Sequence, residues 1–366
     1  MADMTDILHL VRSGRLSEAT AEIQRSLGGT DGAADAASAP PTKDVTPRPR
    51  ALPAPDQGAR AAGQRAERQP GAGRKGKRTR PPQRTPWVGK TAPGRRVADP
   101  PLPADGAWLS RAGAVPHRLF RPGRPQDAAP LIVMLHGCTQ TPEDFAAGTA
   151  MCLAADRIGA HVAFPEQIRM ANANACWNWF EPAHQGRSGE AAAIVAVIRS
   201  ILHEIGDERP VHVAGLSAGG AMAAILGAHY PDVVASVGIH SGLPAGSARD
   251  VSSAFTAMGS GGVARAPLAV PAIVFHGTAD RTVAPSNGAA LMPDGLVSES
   301  SRVIESASRR TTVLSVRARD RAVASELWQV EGLGHAWSGG DRRGSYVDPA
   351  GPDATAEMLR FFAETA

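Results

Sequence analysis

The spacing of apolar residues divides the chain into three segments. In residues 1–28, apolar side chains recur at helical spacing on both sides of Gly14, which predicts a short helical hairpin. Residues 29–104 show no apolar period and are rich in Pro, Ala, Gly and Arg, a composition typical of a disordered linker. Over residues 105–366, apolar runs of strand length alternate with helix-period segments, which predicts a folded domain.

The alternating elements of residues 105–366 indicate an α/β fold. The runs "PLIVMLHG", "VHVAGLS" and "PAIVFHGTAD" are almost continuously apolar, as expected of parallel strands that are buried on both faces. Helix-period segments such as "GEAAAIVAVIRSILHEIG" lie between them, and "AVPHRLFRP" and "ELWQVEGLGHAW" are predicted as further strands, the first at an edge. We expect a mostly parallel, doubly wound sheet whose strands end at a common edge, where ligands bind.

Charge is unevenly distributed along the chain, whose 366 residues carry a net charge of +4. Residues 41–100 hold fifteen Lys and Arg against four acidic residues, whereas residues 101–366 hold four more acidic than basic side chains. The basic segment is either a solvated linker or an electrostatic tether to a polyanion such as nucleic acid, anionic lipid or polyphosphate. Its single aromatic residue is Trp87, so specific nucleic-acid recognition has little support.

Cysteine content and the first residues limit the class of protein. Cys138, Cys152 and Cys176 form neither a dense disulfide framework nor a zinc-binding pattern; one bridge is possible, but the spacing does not identify it. The start "MADMTDILHLVRSG" lacks the basic and continuously apolar regions of a secretory signal. No apolar run approaches the roughly 18 residues of a membrane span. These features favour a cytoplasmic location.

The stretch "VHVAGLSAGGAMA" places Ser217 between a strand and a helix, among residues with almost no side chain. This G-x-S-x-G pattern in a strand–turn–helix setting is the nucleophile elbow of α/β-hydrolases. Asp280 and His335 each follow a later strand, so the chain order Ser, Asp, His is that of an α/β-hydrolase triad. Ser217 would be the nucleophile, His335 its general base, and Asp280 the carboxylate that orients the imidazole.

Two backbone N–H groups are expected to stabilise the oxyanion of such a reaction. One belongs to Ala218, the residue after the nucleophile, and the other to Cys138, in the loop "LHGCTQ" after an earlier strand. The "HG" dipeptide is alternatively an ordinary turn at a strand end. Catalysis by the Cys138 thiol has less support, since no base stands near it in the sequence. The predicted reaction uses no metal and no cofactor.

Aromatic residues, which are scarce in this chain, concentrate in one short motif. Trp177, Trp179 and Phe180 fall within four residues in "CWNWF", and Trp337 follows His335 by two positions. These four side chains are candidates for an apolar wall that binds the acyl part of a substrate. The alternative interpretation is that "CWNWF" anchors a packed loop.

Five separated motifs resemble those of the polyhydroxybutyrate depolymerase family of esterases, which is close to feruloyl and acetylxylan esterases. They are "LHGCTQTPEDFA", "CWNWF", "GLSAGGAMA", "FHGTADRTV" and "GHAWSGG", and the resemblance covers about residues 105–365. It implies the α/β-hydrolase fold, a triad of Ser217, Asp280 and His335, and oxyanion donors at Cys138 and Ala218. Extracellular members of the family carry an export signal and a polymer-binding domain, neither of which is expected here, although a secreted location is the alternative to a cytoplasmic one.

The leading hypothesis is therefore a serine carboxylic-ester hydrolase that acts through an acyl-enzyme. Its expected substrates are short to medium 3-hydroxyacyl esters or oligomers of the polyhydroxyalkanoate type. The alternative enzyme is a feruloyl- or acetylxylan-type esterase. A non-enzymatic alternative is a hydrolase-like scaffold whose basic arm binds an anionic surface, but a scaffold has no need of a complete triad.

Overall fold

The computed structural model describes residues 100–206, 208–293, 296–306, 309–318 and 324–365. The helical hairpin expected over residues 1–28 and nearly all of the linker expected over residues 29–104 lie outside these ranges. Within them, no helix is both long enough and apolar enough to cross a membrane.

Ten strands of the described residues pair into a single sheet. They are β1 (Ala107–Arg111), β2 (His117–Arg121), β3 (Leu131–Leu135), β4 (His161–Pro165), β5 (Val211–Leu216), β6 (Ser236–His240), β7 (Ala272–Gly277), β8 (Leu296–Ser306), β9 (Arg309–Ala318) and β10 (Ala324–Val330). Their spatial order is β1-β2-β4-β3-β5-β6-β7-β10-β9-β8. The six strands from β4 to β10 pair in parallel, and the strands at the two ends pair antiparallel.

Helices and two short strands complete the described part of the chain. The helices are α1 (Pro142–Thr149), α2 (Met151–Asp156), α3 (Gly189–Ile205), α4 (Ala218–His229), α5 (Val251–Ser260), α6 (Ser286–Ala290) and α7 (Ala354–Glu364), with a 3₁₀ turn at Pro182–His184. The two short strands, β11 (Trp337–Ser338) and β12 (Val347–Asp348), pair in parallel outside the main sheet.

Helices cover both faces of the sheet, which explains why every residue of the strands from β3 to β7 is buried. All five residues of β3 are buried, and because alternate side chains point to opposite faces, they divide between two apolar clusters. Ile194 and Ile198 of α3, four residues apart, belong to one cluster, and Met358 and Phe362 of α7 belong to the other. The predicted α/β class with a mostly parallel, doubly wound sheet is confirmed.

The hairpin of β8 and β9 differs from the pattern expected from the sequence. These antiparallel strands extend the sheet beyond β10, yet "LVSESSRVIES" contains mostly polar residues and no continuous apolar run. A strand with one solvated face needs only alternate apolar residues, so it carries a weaker sequence signal than a strand buried on both faces. The helix and strand periods therefore identify the centre of the sheet but not its end.

Two predicted strands have different limits in the structure. The segment "ELWQVEGLGHAW" forms β10 only as far as Val330; residues 331–336 are a loop, and Trp337 begins β11. The segment "AVPHRLFRP" is a strand from His117 onward and lies second in the sheet, because β1 occupies the edge.

Candidate active site

Ser217 occupies a strained turn between β5 and α4. Its backbone has φ 58° and ψ −118°, a conformation that residues with a side chain rarely adopt. Its N–H donates to the carbonyl of His240 (2.9 Å), the last residue of the neighbouring strand β6. A Cβ on Gly215 would lie 2.4 Å from the carbonyl carbon of Gly219, and one on Gly219 would lie 2.0 Å from the oxygen of Leu135. The glycines of the motif are therefore needed for the turn to close.

Asp280 and His335 follow the neighbouring strands β7 and β10 and are hydrogen-bonded to each other. The Nδ1 atom of His335 donates to Oδ2 of Asp280 at 2.8 Å. The other carboxylate oxygen accepts the N–H groups of Thr282 and Val283, both at 2.9 Å. The Asp280 side chain is fully buried, whereas 13% of the His335 side chain is exposed. The imidazole is thus reachable from solvent while the carboxylate is shielded from water.

The environment of Asp280 keeps its carboxylate ionised at neutral pH. Burial alone would raise the pKa of this group, because a carboxylate loses hydration. The hydrogen bond and charge interaction with His335, together with the N–H of Val283, act in the opposite direction and lower the pKa of Asp280 to about 2. An ionised carboxylate at this position can fix the tautomer of His335 and stabilise its protonated form.

Close backbone packing joins the turn that carries Asp280 to the loop that carries His335. The N–H of Ala279 donates to the carbonyl of Leu333 at 3.0 Å. A Cβ on Gly277 would lie 2.1 Å from that same carbonyl oxygen, so a residue with a side chain at this position would separate the two segments.

Ser217 lies at the same edge of the sheet as Asp280 and His335, because the order β5-β6-β7-β10 places all three after parallel strands. In the described part of the chain, no hydrogen bond joins Ser217 Oγ to His335. Such contacts are often long without substrate and shorten in the complex, so this geometry is compatible with a triad.

Two backbone N–H groups beside Ser217 are free to bind an anion. Among the described residues, the N–H groups of Cys138 and Ala218 donate no hydrogen bond. Ala218 is the first residue of α4, where N–H groups have no partner within the helix. The Cys138 loop lies close by, since a Cβ built on Gly137 would be 3.6 Å from the Cβ of Ser217. Two free donors next to a serine are what an oxyanion requires.

A disulfide joins Cys138 to Cys176. The sequence spacing leaves this pairing open, but each cysteine belongs to a motif that the sequence places near the site, "LHGCTQ" and "CWNWF". The bridge ties the candidate oxyanion loop to the aromatic motif, and in this form Cys138 has no thiol to act as a nucleophile. The third cysteine, Cys152, is free and lies in α2, where burial raises the pKa of its thiol far above the usual range.

Trp177 and Trp337, both predicted to contact substrate, are packing residues in the structure. Trp177 is completely buried, and its Nε1 donates to the carbonyl of His136 at 3.1 Å. Trp337 is 1% exposed, and its Nε1 donates to Oγ1 of Thr355 at 3.1 Å. The apolar surface of both rings packs within the fold, and for Trp177 this favours the interpretation of "CWNWF" as a loop anchor.

The remaining candidates for an acyl-binding wall are Trp179 and Phe180. The two rings pack edge to face with centroids 5.8 Å apart. Trp179 is 5% exposed, whereas Phe180 is only partly buried. Phe180 is therefore the member of the motif with the most accessible ring, and this ring packs against Trp179.

Glu190, which sequence reasoning missed, holds the aromatic motif in place. Its carboxylate accepts hydrogen bonds from the backbone N–H of Asn178 (2.7 Å), the Asn178 amide (2.6 Å) and the Gln167 amide (2.6 Å). The Gln167 amide also donates to the carbonyl of Cys176 at 3.0 Å. The partners lie 12 and 23 residues away along the chain, so no local pattern identifies this network.

Residues 117–312 match the family model described as Esterase PHB depolymerase. The match spans more than half of the chain, and the protein therefore belongs to this family. The resemblance drawn from the five motifs is confirmed.

Three known proteins illustrate the relationship. The chain is 39% identical over 178 residues to Poly(3-hydroxyalkanoate) depolymerase C of Paucimonas lemoignei, covering 43% of this chain and 42% of that protein. It is 30% identical over 258 residues to Poly(3-hydroxybutyrate) depolymerase of Ralstonia pickettii, covering 62% and 52%. The chain thus spans about half of the length of these relatives. A solved acetyl xylan esterase from Aspergillus awamori has the same fold, with a TM-score of 0.53 at 16% identity over 70% of this chain and 98% of that one.

Proposed function

We propose that this protein is a serine esterase that hydrolyses carboxylic esters through an acyl-enzyme. The observation that carries the proposal is the convergence at one sheet edge of a strained serine, a hydrogen-bonded His–Asp pair and two unpaired N–H groups. Each part supplies one requirement of acyl transfer: a nucleophile, a base with a fixed tautomer, and stabilisation of the oxyanion.

In the proposed reaction, Ser217 Oγ attacks the ester carbonyl carbon while Nε2 of His335 takes the hydroxyl proton. The carbonyl oxygen becomes an oxyanion and accepts hydrogen bonds from the N–H groups of Cys138 and Ala218. When the tetrahedral intermediate collapses, the C–O bond to the alcohol breaks and His335 gives its proton to the departing oxygen. Water then attacks the acyl-enzyme with the same proton transfers, releasing the acid and restoring Ser217.

The proposed substrates are short to medium 3-hydroxyacyl esters or oligomers. The names of the two bacterial relatives, which describe depolymerases of poly(3-hydroxyalkanoate) and poly(3-hydroxybutyrate), support this acyl class. The partly buried ring of Phe180 also supports it, because this ring offers an apolar surface to an aliphatic acyl chain. Feruloyl and acetylxylan esters are the competing substrates, and a panel of esters separates these possibilities.

The disulfide supports an oxidising compartment as the place of action. Disulfides persist in secreted and periplasmic proteins and are rare in a reducing cytosol. The bridge between Cys138 and Cys176 therefore favours the secreted alternative over the cytoplasmic location expected from the first residues.

The test compares the wild-type protein with Ser217→Ala on p-nitrophenyl butyrate. We expect the variant to lose a factor on the order of 10⁴ to 10⁶ in kcat. Ser252→Ala, which changes an exposed serine in α5, is the matched control and should be fully active. A fluorophosphonate should label the protein at Ser217, and labelling at another serine would refute the assignment.

The acyl class is tested by comparing kcat/KM for trimers of 3-hydroxybutyrate, p-nitrophenyl esters of increasing chain length, methyl ferulate and acetylated xylo-oligosaccharides. Preference for the hydroxybutyrate trimer supports the proposed substrate. Preference for methyl ferulate or the acetylated sugar would retain the serine mechanism and replace the substrate class.

A further inference from the structure

The two peptide units that precede the Cys138 side chain are held by hydrogen bonds at every polar group except one. In the first unit, the carbonyl of His136 accepts from Trp177 Nε1 (3.1 Å), and the N–H of Gly137 donates to Oε1 of Gln140 (2.9 Å). In the second, the carbonyl of Gly137 accepts from Nδ1 of His136 (2.8 Å) and from the N–H of Gln140 (3.3 Å). Of the four polar groups in these two units, only the Cys138 N–H has no hydrogen-bond partner among the described residues.

Fixing the Gly137 carbonyl also fixes the direction of the free Cys138 N–H. A trans peptide unit is planar, and its C=O and N–H point in opposite directions. A rotation of this unit that moved the N–H away from an oxyanion would therefore break the hydrogen bonds that the Gly137 carbonyl accepts from Nδ1 of His136 and from the backbone N–H of Gln140. The Gln140 side chain holds the preceding unit, through its bond from the Gly137 N–H.

The hydrogen bonds of His136 define a single tautomer. A carbonyl oxygen can only accept, so Nδ1 of His136 carries the proton that is donated to Gly137. Nε2 must then be the acceptor for the backbone N–H of Gln167, at 3.1 Å. The ring is completely buried, and this burial lowers the pKa of His136 to about 4, so it stays neutral at neutral pH.

We infer that His136 and Gln140 are positioning residues that aim the Cys138 N–H at the oxyanion. The inference rests on the proposed esterase function, because an oxyanion donor matters only if an acyl transfer takes place. It assigns a role in kcat to two polar side chains that are buried in the fold.

Two substitutions at His136 separate this role from general support of the fold. In His136→Asn, the amide nitrogen stands near the position of Nδ1, so the bond to the Gly137 carbonyl is retained and the acceptor for Gln167 is lost. In His136→Gln, the longer amide reaches the position of Nε2, so the acceptor for Gln167 is retained and the bond to Gly137 is lost. Both variants replace the ring with an amide, which makes each the control for the other.

We expect His136→Asn to keep kcat close to the wild-type value and His136→Gln to lower it by about 10-fold or more. This loss is smaller than the roughly 10²- to 10³-fold fall in kcat that follows deletion of an oxyanion donor. KM should change little in both, because the oxyanion interaction is made in the transition state and not in the bound substrate. The inhibition constant of butylboronic acid, which forms a tetrahedral adduct with an active-site serine, should rise in His136→Gln by a factor similar to the fall in kcat. The inhibition constant of butyrate should stay constant.

Equal kcat values for the two variants, with the disulfide intact and similar Tm, would overturn the inference. If His136→Gln does not fold, Gln140→Met provides the second test, since it removes the acceptor of the Gly137 N–H and should lower kcat without raising KM. An unchanged kcat in Gln140→Met would then overturn the inference. Ser217→Ala is measured in parallel. If wild-type hydrolysis does not depend on Ser217, the proposed function fails. If hydrolysis depends on Ser217 but is unchanged by the substitutions at His136 and Gln140, only the positioning role is refuted.

Discussion

The Nδ1 atom of His335 lies 2.8 Å from Oδ2 of Asp280, although 55 residues separate them along the chain. The parallel pairing of β7 with β10, in which Gly277 stands opposite Val330, brings the two loops together. Asp280 is completely buried at this point and has the backbone N–H groups of Thr282 and Val283 as its other partners. Among the described residues, His335 is the only side chain that donates a hydrogen bond to this carboxylate, although Nε2 of His276 lies 3.6 Å from Oδ2, so its removal should affect catalysis directly.

Asp280→Asn is expected to lower kcat by about 10⁴-fold while leaving the fold intact, because an amide holds the imidazole in the wrong tautomer. Asp127→Asn, which changes a fully exposed carboxylate, is the matched control and should retain wild-type activity. Steady-state kinetics on p-nitrophenyl butyrate and a thermal melt decide the outcome. Substantial activity in Asp280→Asn would mean that His335 depends on another acid.

The parts of the molecule that the sequence predicts are those with a repeated or rigid local pattern. Continuous apolar runs indicate strands buried on both faces, and the small residues around Ser217 mark the strained turn. Partners that meet only after folding leave no such pattern. The Cys138–Cys176 bridge, the Glu190 network and the burial of Trp337 all depend on contacts between distant segments. An aromatic residue beside a catalytic histidine has the same sequence signal whether it contacts substrate or packs in the core.

Buried histidines should make the protein less stable as the pH falls from about 6.5 to about 4. Burial lowers the pKa of His136 and His212 to about 4 and that of His240 to about 3. Since an unfolded chain binds protons near the ordinary value of about 6.5, protonation favours the unfolded state throughout this window. Each histidine whose folded pKa is about 4 should remove about 3 kcal/mol of the free energy of unfolding between neutral pH and pH 4.

His212→Phe isolates one of these contributions. The His212 ring stacks on Phe362 with centroids 4.6 Å apart, so an aromatic replacement keeps the packing and removes the titration. The substitution removes the 2.8 Å hydrogen bond between His212 Nδ1 and Ser236 Oγ, while Ser236 Oγ keeps its 2.9 Å contact with Oγ1 of Thr365. Urea denaturation at several pH values should give a shallower loss of stability in His212→Phe than in the wild type. Parallel curves for the two proteins would show that His212 does not titrate on unfolding.

Loss of the Cys138–Cys176 bridge should lower kcat more than it lowers substrate binding. The bridge fixes the residue whose N–H is the proposed oxyanion donor, and misplacement of a catalytic group by about 1 Å can cost about 10²-fold in rate. Cys176→Ser, or mild reduction of the wild type, is therefore expected to reduce kcat by about 10-fold or more. Cys152→Ala, which changes the free cysteine of α2, is the control and should leave both the activity and its sensitivity to reduction unchanged. Full activity of the reduced protein would show that hydrogen bonds alone hold the loop.

Phe180 and Trp337 should respond differently to truncation, because one ring is accessible and the other is part of the core. Phe180 is partly exposed and packs against Trp179, so Phe180→Ala should remove an apolar contact to the acyl chain. Such a contact contributes about 1–3 kcal/mol, or roughly 10- to 200-fold in discrimination. We expect Phe180→Ala to lower kcat/KM for hexanoate esters more than for acetate esters, with little change in Tm.

Trp337→Ala supplies the contrast, since this ring is 1% exposed and packs edge-on against Phe145 at 5.5 Å. Its removal should leave a cavity and cost about 3–5 kcal/mol of folding stability. The remaining folded protein should lose activity to the same extent for every acyl chain length. The comparison needs kcat/KM values for acetate, butyrate and hexanoate p-nitrophenyl esters together with the Tm of each variant. A chain-length effect in Trp337→Ala and none in Phe180→Ala would place the acyl chain against Trp337 and reverse the assignment drawn from burial.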